Sequence, residues 1–201
     1  TNQQQIMLLE KGPREECGVV GVHTPTGQAA RMALFGLFSL QHRGQESVGI
    51  ANADGEKLRY HTAMGLIAQS LQEDDLSNLT GHIAIGHTRY STTGSNNLSN
   101  AQPIIAYGPD LELALAHNGN VVNSLELRDE LLEWGCTFSS TSDSEIIAQL
   151  IAYAPATTWE DRISYCMRRL QGAYSLTIMT KDVLLFTSIS TIPFFSPRLF
   201  T

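Results

Sequence analysis

The sequence predicts an α+β fold with one main core. Apolar runs rich in valine, isoleucine and leucine, which suit strands, occur in pairs, and so do segments with the apolar spacing of helices. The regular alternation of strand and helix that indicates a parallel sheet is not seen. With 201 residues, of which 42% are hydrophobic and 16% charged, the chain is long enough to bury a substantial core.

The first predicted elements are a strand, a helix and a hairpin. Cys17–His23 is rich in valine and is predicted to be a strand, whereas Gln28–His42 carries apolar residues at helical spacing. Two further strands, Val48–Asn52 and Leu58–His61, flank Asp54-Gly55. Because this dipeptide favours a tight turn, the two strands are predicted to pair as a hairpin.

The middle of the chain predicts two strands separated by a polar loop. A short helix and loop over Ile67–Leu79 lead into the first strand, Ile83–Thr88. The loop Ser91–Gln102 follows, rich in glycine, serine and asparagine, as loops commonly are. The second strand, Leu111–His117, is predicted to end in Asn118-Gly119-Asn120.

The last third predicts three helices and a hairpin. Ser124–Trp134 has leucines at helical spacing with Gly135 as a C-cap, and Ser142 or Asp143 is a candidate cap for the next helix. The remaining elements are a helix over Ile146–Tyr153, a helix over Thr158–Leu170, and strands over Ala173–Met179 and Val183–Phe186.

Composition divides the chain into three parts. Residues 1–16 are polar and charged around the breaker Gly12-Pro13, and they are predicted to be a leader or propeptide. Residues 17–186 form the predicted domain. Residues 187–201 are rich in Ser, Thr, Phe and Pro and are predicted to be a divergent tail outside the core.

Charge and hydropathy exclude two classes of partner. The net charge is -7 and the 13 lysines and arginines are scattered, which argues against nucleic-acid binding because such proteins carry a basic stripe. No run approaches the roughly 18 apolar residues that span a bilayer, so no membrane association is predicted. The N-terminal residues lack the pattern of an export signal, which predicts a cytoplasmic location.

The three cysteines divide into one candidate nucleophile and two packing residues. Cys17, Cys136 and Cys166 show no C-x-x-C spacing, so no zinc or other metal site is predicted. Cys17 follows the leader directly, and cleavage before it would leave its α-amine as a base beside the thiol. A core position in a valine-rich strand is the alternative.

Four polar residues complete a candidate site for acyl transfer from a free amino acid. Such a reaction needs an oxyanion hole, which the Asn118 amide and the Gly119 backbone N–H supply. It also needs partners for the substrate's carboxylate and ammonium, for which Arg89 and Asp143 suit. Taken singly, each residue has a structural explanation: Asn118-Gly119 as a hairpin turn, Arg89 as a surface residue, and Asp143 as a helix cap.

Five motifs occur in order over about residues 15–186. The motifs are Glu-Cys-Gly-Val-Val-Gly, Gln-His-Arg-Gly-Gln-Glu-Ser, Gly-His-Thr-Arg-Tyr-Ser-Thr-Thr-Gly, His-Asn-Gly-Asn and Thr-Ser-Asp-Ser-Glu. With these motifs the chain resembles the glutaminase domain of the amidophosphoribosyltransferase family, a class II glutamine amidotransferase of the N-terminal-nucleophile hydrolase superfamily.

The resemblance implies a fold and a role for each candidate residue. It implies a four-layer αββα sandwich in which Cys17 is the nucleophile and removal of the leader frees its amine. Asn118 and Gly119 match the family's oxyanion hole, and Arg89 and Asp143 match the groups that bind the α-carboxylate and α-amino group of glutamine. Arg43, near the catalytic cysteine in the family, and Thr92 are further substrate-binding candidates.

The resemblance also implies partners and cofactors. Glutamine is the expected ligand, hydrolysed to glutamate and ammonia as part of the first step of de novo purine biosynthesis. Phosphoribosyl pyrophosphate, magnesium and a [4Fe-4S] cluster belong to the later domain of the family enzyme, and no cofactor is expected in this one. Residues 187–201 match none of that domain, so the full transferase reaction is not expected of this chain alone.

Two alternatives and the assembly state stay open at this stage. The first alternative is a truncated, unprocessed remnant or glutamine-binding module without catalysis. The second is a related amidotransferase that delivers ammonia to a separate synthase subunit. A homo-oligomer is neither predicted nor excluded.

Overall fold

The computed structural model describes residues 17–43, 46–89 and 97–189. Within these ranges the chain forms two four-stranded antiparallel sheets packed face to face, with helices on the outer face of each. The α+β class and the four layers predicted above are therefore confirmed. The predicted leader (1–16), Thr92 and the end of the chain (190–201) lie outside the described residues.

The N-terminal sheet holds the first half of the chain and has the strand order β1-β4-β2-β3. Helix α1 (Ala29–Ser39) and two single turns cover its outer face, where Leu37, Ile50 and Ile67 are among the fully buried side chains. A short 3₁₀ helix, Gln41–Arg43, follows α1. The other elements are β1 (Gly18–His23), β2 (Ser47–Ala53), β3 (Leu58–Met64), α2 (Ile67–Ser70), α3 (Glu73–Leu76) and β4 (Ile83–Arg89).

The C-terminal sheet holds the second half and has the strand order β5-β6-β7-β8. Three helices cover its outer face, and α5 is buried along nearly its whole length because it packs between the sheet and its neighbouring helices. The elements are β5 (Ile104–Tyr107), β6 (Glu112–Val121), α4 (Ser124–Glu133), α5 (Asp143–Tyr153), α6 (Trp159–Arg169), β7 (Gly172–Met179) and β8 (Leu184–Ile189), preceded by a 3₁₀ helix, Leu98–Asn100.

Small side chains line much of the contact between the two sheets. Ala51 and Ala53 of β2 meet Ala114 and Ala116 of β6, with Met179 closing one side. Alanine allows close approach of two sheets, whose inner faces otherwise lie about 10 Å apart. The same strands are covered on their other face by helices, which explains why every residue of β2 is buried.

The structure differs from the sequence predictions at three places. Asn118-Gly119-Asn120 does not follow a strand but lies inside β6, paired with β7 as far as Val121. Strand β5 was not predicted, since it is four residues long and directly follows Pro103. The last strand continues past the predicted boundary at residue 186 to Ile189, and Thr187 is buried.

No helix in the described ranges is long and apolar enough to cross a membrane.

Candidate active site

Cys17 and Arg89 are neighbours of the first register pair between β1 and β4. Gly18, the first residue of β1, pairs with Thr88 of the antiparallel strand β4. Continuing this register by one residue brings Cys17 to the level of Arg89, the last residue of β4. Cys17 is half-buried and directly precedes β1, which is an edge strand of the sheet.

Glu46 lies next to Arg89 on the other side of the strand. Ser47, the first residue of β2, pairs with Arg89, and the Glu46 N–H donates to the Arg89 carbonyl at 3.0 Å. A Glu46 carboxylate oxygen is 3.8 Å from Nη1 of Arg89, too long for a hydrogen bond. Both carboxylate oxygens are buried without a hydrogen-bond partner in the described part of the chain. Glu46 was not nominated from the sequence, although it lies in the second motif.

Asn118 and Gly119 lie in β6 opposite Ser175 and Tyr174 of β7. Gly119 has a φ of +141°, and a Cβ there would lie 2.3 Å from the carbonyl oxygen of Ala173. Only glycine fits such a position without strain. The Asn118 side chain beside it is half-buried.

Asp143 is the first residue of α5, beside the same stretch of β6. Ser142 is the N-cap, its side chain accepting from the Ser144 N–H at 3.1 Å. An oxygen of Asp143 accepts from the Val121 N–H at 3.2 Å, which ties the helix start to the strand. Asp143 therefore does not serve as the plain N-cap considered above, and its side chain retains partial exposure of 26%.

Glu145 holds the loop that precedes α5. Its buried carboxylate accepts from the N–H and the hydroxyl of both Ser139 and Ser140, at 2.6–2.9 Å. A carboxylate saturated in this way is inexpensive to bury and fixes the loop firmly. The last residue of the fifth motif thus positions the start of α5, and Asp143 with it.

His117, the residue before Asn118, lies beside Asp143 and Ser144 at the start of α5. Its Nδ1 lies 3.0 Å from the Ser144 hydroxyl and 3.7 Å from an oxygen of Asp143. Burial lowers the pKa of His117, and the Asp143 carboxylate opposes that shift. The imidazole is therefore favoured in its neutral form, which leaves the charge of Asp143 available to a cation.

His87 connects the two sheets behind these residues. It lies on β4 two residues before Arg89, and its Nε2 donates to the His117 carbonyl of β6 at 3.1 Å. Burial lowers the pKa of His87 to about 3, so the ring stays neutral. The spacing of the two histidines along the chain gives no indication of this contact.

Cys136 and Cys166 differ sharply from Cys17. Both are buried in the core between the C-terminal sheet and its helices. Burial raises the pKa of both thiols, that of Cys166 to about 12. Because the thiolate is the reactive form, neither is suited to be a nucleophile, and their prediction as packing residues is confirmed.

The remaining sequence candidates are only partly described. Arg43 ends the 3₁₀ helix Gln41–Arg43, and its side chain, like all of Thr92, falls outside the described residues. Among the residues that are described, no three His, Cys, Asp or Glu side chains come together as a metal site would require.

The fold and this end of the sheets define a class of protein. Two stacked antiparallel sheets between helical layers, with a half-buried cysteine directly before an edge strand, match the N-terminal-nucleophile type of amidotransferase fold. A family model described as a glutamine amidotransferase domain matches residues 87–188, which include Arg89, Asn118, Gly119 and Asp143. The chain belongs to this glutamine amidotransferase family.

Its relatives are considerably longer proteins. The amidophosphoribosyltransferase of Synechococcus elongatus is 49% identical over 174 residues, which cover 86% of this chain and 35% of the relative. That of Bacillus subtilis is 44% identical over 177 residues, or 87% of this chain and 37% of the relative. The chain thus spans about a third of the length of the curated relatives it matches.

A solved structure shares the fold. The glutamine phosphoribosylpyrophosphate amidotransferase of B. subtilis, complexed with ADP and GMP, superposes with a TM-score of 0.76 at 40% identity. The match covers 85% of this chain and 36% of the other. The architecture predicted from the five motifs is confirmed by this likeness.

Proposed function

We propose that this chain is the glutaminase part of an amidophosphoribosyltransferase and that Cys17 is its nucleophile. The observation that carries the proposal is the register of β1 and β4, in which Gly18 pairs with Thr88. Continued by one residue, this register brings Cys17 level with Arg89. A thiol beside a guanidinium suits attack on a substrate that carries its own carboxylate. Membership of the glutamine amidotransferase family supports glutamine as that substrate.

Arg89 and Asp143 bind the two charged ends of glutamine in this proposal. The planar guanidinium of Arg89 pairs with a carboxylate through two parallel hydrogen bonds. Asp143, partly exposed at a helix start beside β6, receives the α-ammonium. With both ends held, the side-chain amide extends toward Cys17.

Cleavage before Cys17 provides the base for the first step. An α-amine with an ordinary pKa of about 7.7–8.0 is suited to take the thiol proton and to return it to the leaving nitrogen. The sulfur bonds to the amide carbon, and Asn118 and Gly119 stabilise the oxyanion. Ammonia departs, leaving a γ-glutamyl thioester. Water then attacks the thioester, releasing glutamate and restoring the thiol.

The fate of the ammonia belongs to the longer protein. The relatives that share this domain are amidophosphoribosyltransferases. We extend the proposal to transfer of the ammonia to phosphoribosyl pyrophosphate wherever a transferase domain accompanies this one.

The test is a comparison of the chain with its Cys17→Ala variant. Intact mass reports whether Cys17 becomes the first residue, and a coupled assay measures glutamate release. We expect a processed wild-type chain to release glutamate and to react at one cysteine with a glutamine-analogue electrophile. Cys17→Ala should lose at least about 10³-fold in rate. A processed chain with neither glutamate release nor labelling of Cys17 would refute the proposal.

A further inference from the structure

We infer that His87 is a positioning residue for the oxyanion hole: its hydrogen bond to the His117 carbonyl holds the peptide that leads into Asn118. The inference rests on the proposed function, since it assigns to Asn118 the role given there. His87 itself is fully buried and contacts no reacting atom in this scheme.

The hydrogen bond defines the state of the ring. A carbonyl oxygen only accepts, so Nε2 of His87 carries the proton in its 3.1 Å contact with His117. Nδ1 is then an acceptor, and it is buried with no hydrogen-bond partner among the described residues. Burying an unpaired polar atom costs free energy that an apolar side chain of similar size would avoid. A histidine at this position is therefore explained by the hydrogen bond that its Nε2 donates, and not by the burial of the ring alone.

The His117 backbone is held from a second direction as well. Strand β5 begins at Ile104, which pairs with Leu115, so its backbone ladder does not reach His117. The side chain of Gln102 takes over: its Oε1 accepts from the His117 N–H at 2.6 Å, and its Nε2 lies 3.3 Å from the carbonyl. Gln102 fixes this peptide within the C-terminal sheet, whereas His87 fixes it to the other sheet.

The backbone packs closely at this level. Gly49 of β2 pairs with His87, and a Cβ on Gly49 would lie 2.4 Å from the carbonyl oxygen of Gln102. No side chain larger than that of glycine fits there without movement. The backbone of Gln102 therefore lies against the N-terminal sheet beside the histidine. This packing limits the distance between β4 and the His117 backbone.

The position of His87 relates the two parts of the proposed substrate site to each other. His87 and Arg89 are two residues apart on one strand, so their side chains point to the same face about 6–7 Å apart. His87 donates a hydrogen bond to the carbonyl of the residue before Asn118, and Arg89 is the proposed partner of the substrate's carboxylate. His87 thereby sets the distance between the group that binds substrate and the group that stabilises the oxyanion.

Two substitutions separate this role from simple filling of space. The amide of His87→Gln places a donor near the position of Nε2, whereas the shorter amide of His87→Asn does not reach the carbonyl. Asn52→Leu is the matched control, because Asn52 is fully buried on β2 and donates to the Ile83 carbonyl at 2.8 Å, at the opposite end of β4. It removes a comparable buried hydrogen bond away from the site.

Glutaminase kinetics give the first readout. We expect His87→Asn to lower kcat about 10- to 100-fold with KM within threefold of wild type, because misplacement by about 1 Å has effects of this size. His87→Gln should stay within about threefold of wild type, and Asn52→Leu should keep its kcat at a temperature where it is folded. If His87→Asn does not fold, His87→Leu takes its place. Equal kcat values for wild type and His87→Asn would overturn the inference.

Amide hydrogen exchange gives a readout that does not need activity. Exchange over residues 116–121 should be faster in His87→Asn than in wild type, His87→Gln or Asn52→Leu. Equal protection of this segment in His87→Asn and wild type would overturn the inference. A processed wild-type chain that releases no glutamate would instead overturn the proposed function, while the exchange comparison would still decide whether His87 holds this peptide.

Discussion

The two sheets contribute to the candidate site in different ways. Asn118 and Gly119 lie within the C-terminal sheet, inside a paired strand whose neighbouring peptide is held by Gln102 and His87. Cys17 and Arg89 lie at strand ends of the N-terminal sheet, and the nearby carboxylate of Glu46 is 3.8 Å from the guanidinium. In the proposed function the first half therefore stabilises a developing charge, whereas the second half binds the substrate's carboxylate. Substitutions in the first half should affect mainly kcat, and those in the second mainly KM.

Gly119→Ala tests the first half and should have the largest effect. Its φ of +141° and the Ala173 oxygen, which would lie 2.3 Å from an added Cβ, leave no room for a methyl group. We expect a loss of about 1–3 kcal/mol in unfolding free energy and about 10²–10³-fold in kcat. Denaturant unfolding and glutamate release measure the two effects. The control is Gly135→Ala, since Gly135 also has a positive φ but lies beyond α4 with open space around it. Comparable kcat losses in both variants would contradict the role of Gly119.

Arg89→Lys tests the second half and should have the second-largest effect. Lysine keeps the charge but not the planar pair of donors, so KM for glutamine should rise about 10- to 100-fold with a smaller change in kcat. Steady-state kinetics separate the two parameters. If kcat falls more than KM rises, the division of labour between the sheets is wrong.

Glu46→Gln should have a smaller effect, in the opposite direction. The carboxylate is too far from Arg89 to hold it by a hydrogen bond, but its charge competes with that of the substrate. Removing the charge should lower KM about two- to fivefold. A rise in KM would show instead that Glu46 positions the guanidinium. Glu56→Gln, on the exposed turn between β2 and β3, serves as the control for charge alone.

The pH dependence of stability concerns the link between the halves. Because burial lowers the folded-state pKa of His87 to about 3 from its ordinary 6.5, the unfolded chain binds one more proton between these values. This histidine's contribution to stability is thus present above about pH 6.5 and falls by about 1.4 kcal/mol per pH unit below it. Denaturant unfolding at pH 7, 6 and 5 measures it. His87→Gln should show a shallower fall, because it lacks the titrating His87. Some fall should remain, because His117, whose pKa is also lowered, is present in both proteins. Parallel curves would contradict the assignment.

The sequence predicted turns and helix ends correctly where residues a few positions apart determine their conformation. The turn at Asp54-Gly55 formed as predicted, with the Asp54 carboxylate accepting from the Glu56 and Lys57 N–H groups and Gly55 at a φ of +95°. Gly135 ends α4 in a left-handed conformation for the same reason. Such features depend on neighbours a few residues away.

Contacts between distant residues were beyond the same reasoning. Asn118-Gly119 is typical of a turn, yet pairing with β7 keeps it inside a strand. This pairing could not be predicted locally, because the partner strand lies more than fifty residues further along the chain. Nothing near Gln102 indicates that its side chain completes the ladder of His117, or that Glu46 lies beside Arg89. The nominated residues came from motifs, but the groups that position them emerged only from the packing of the two sheets.

The edge position of β1 bears on the order in which the chain folds. In the described sheet its ladder runs along β4, so Gly18 must meet Thr88 after helix α1 and the β2–β3 hairpin have intervened. Pairings of such long sequence separation carry a large loop-closure entropy and form later than local hairpins. We therefore expect β1 to dock late, and Cys17 to reach Arg89 only in the completed fold. Partly folded chains would then carry the thiol without the proposed site, so that reactivity toward glutamine, if Cys17 is the proposed nucleophile, would report the last stage of assembly.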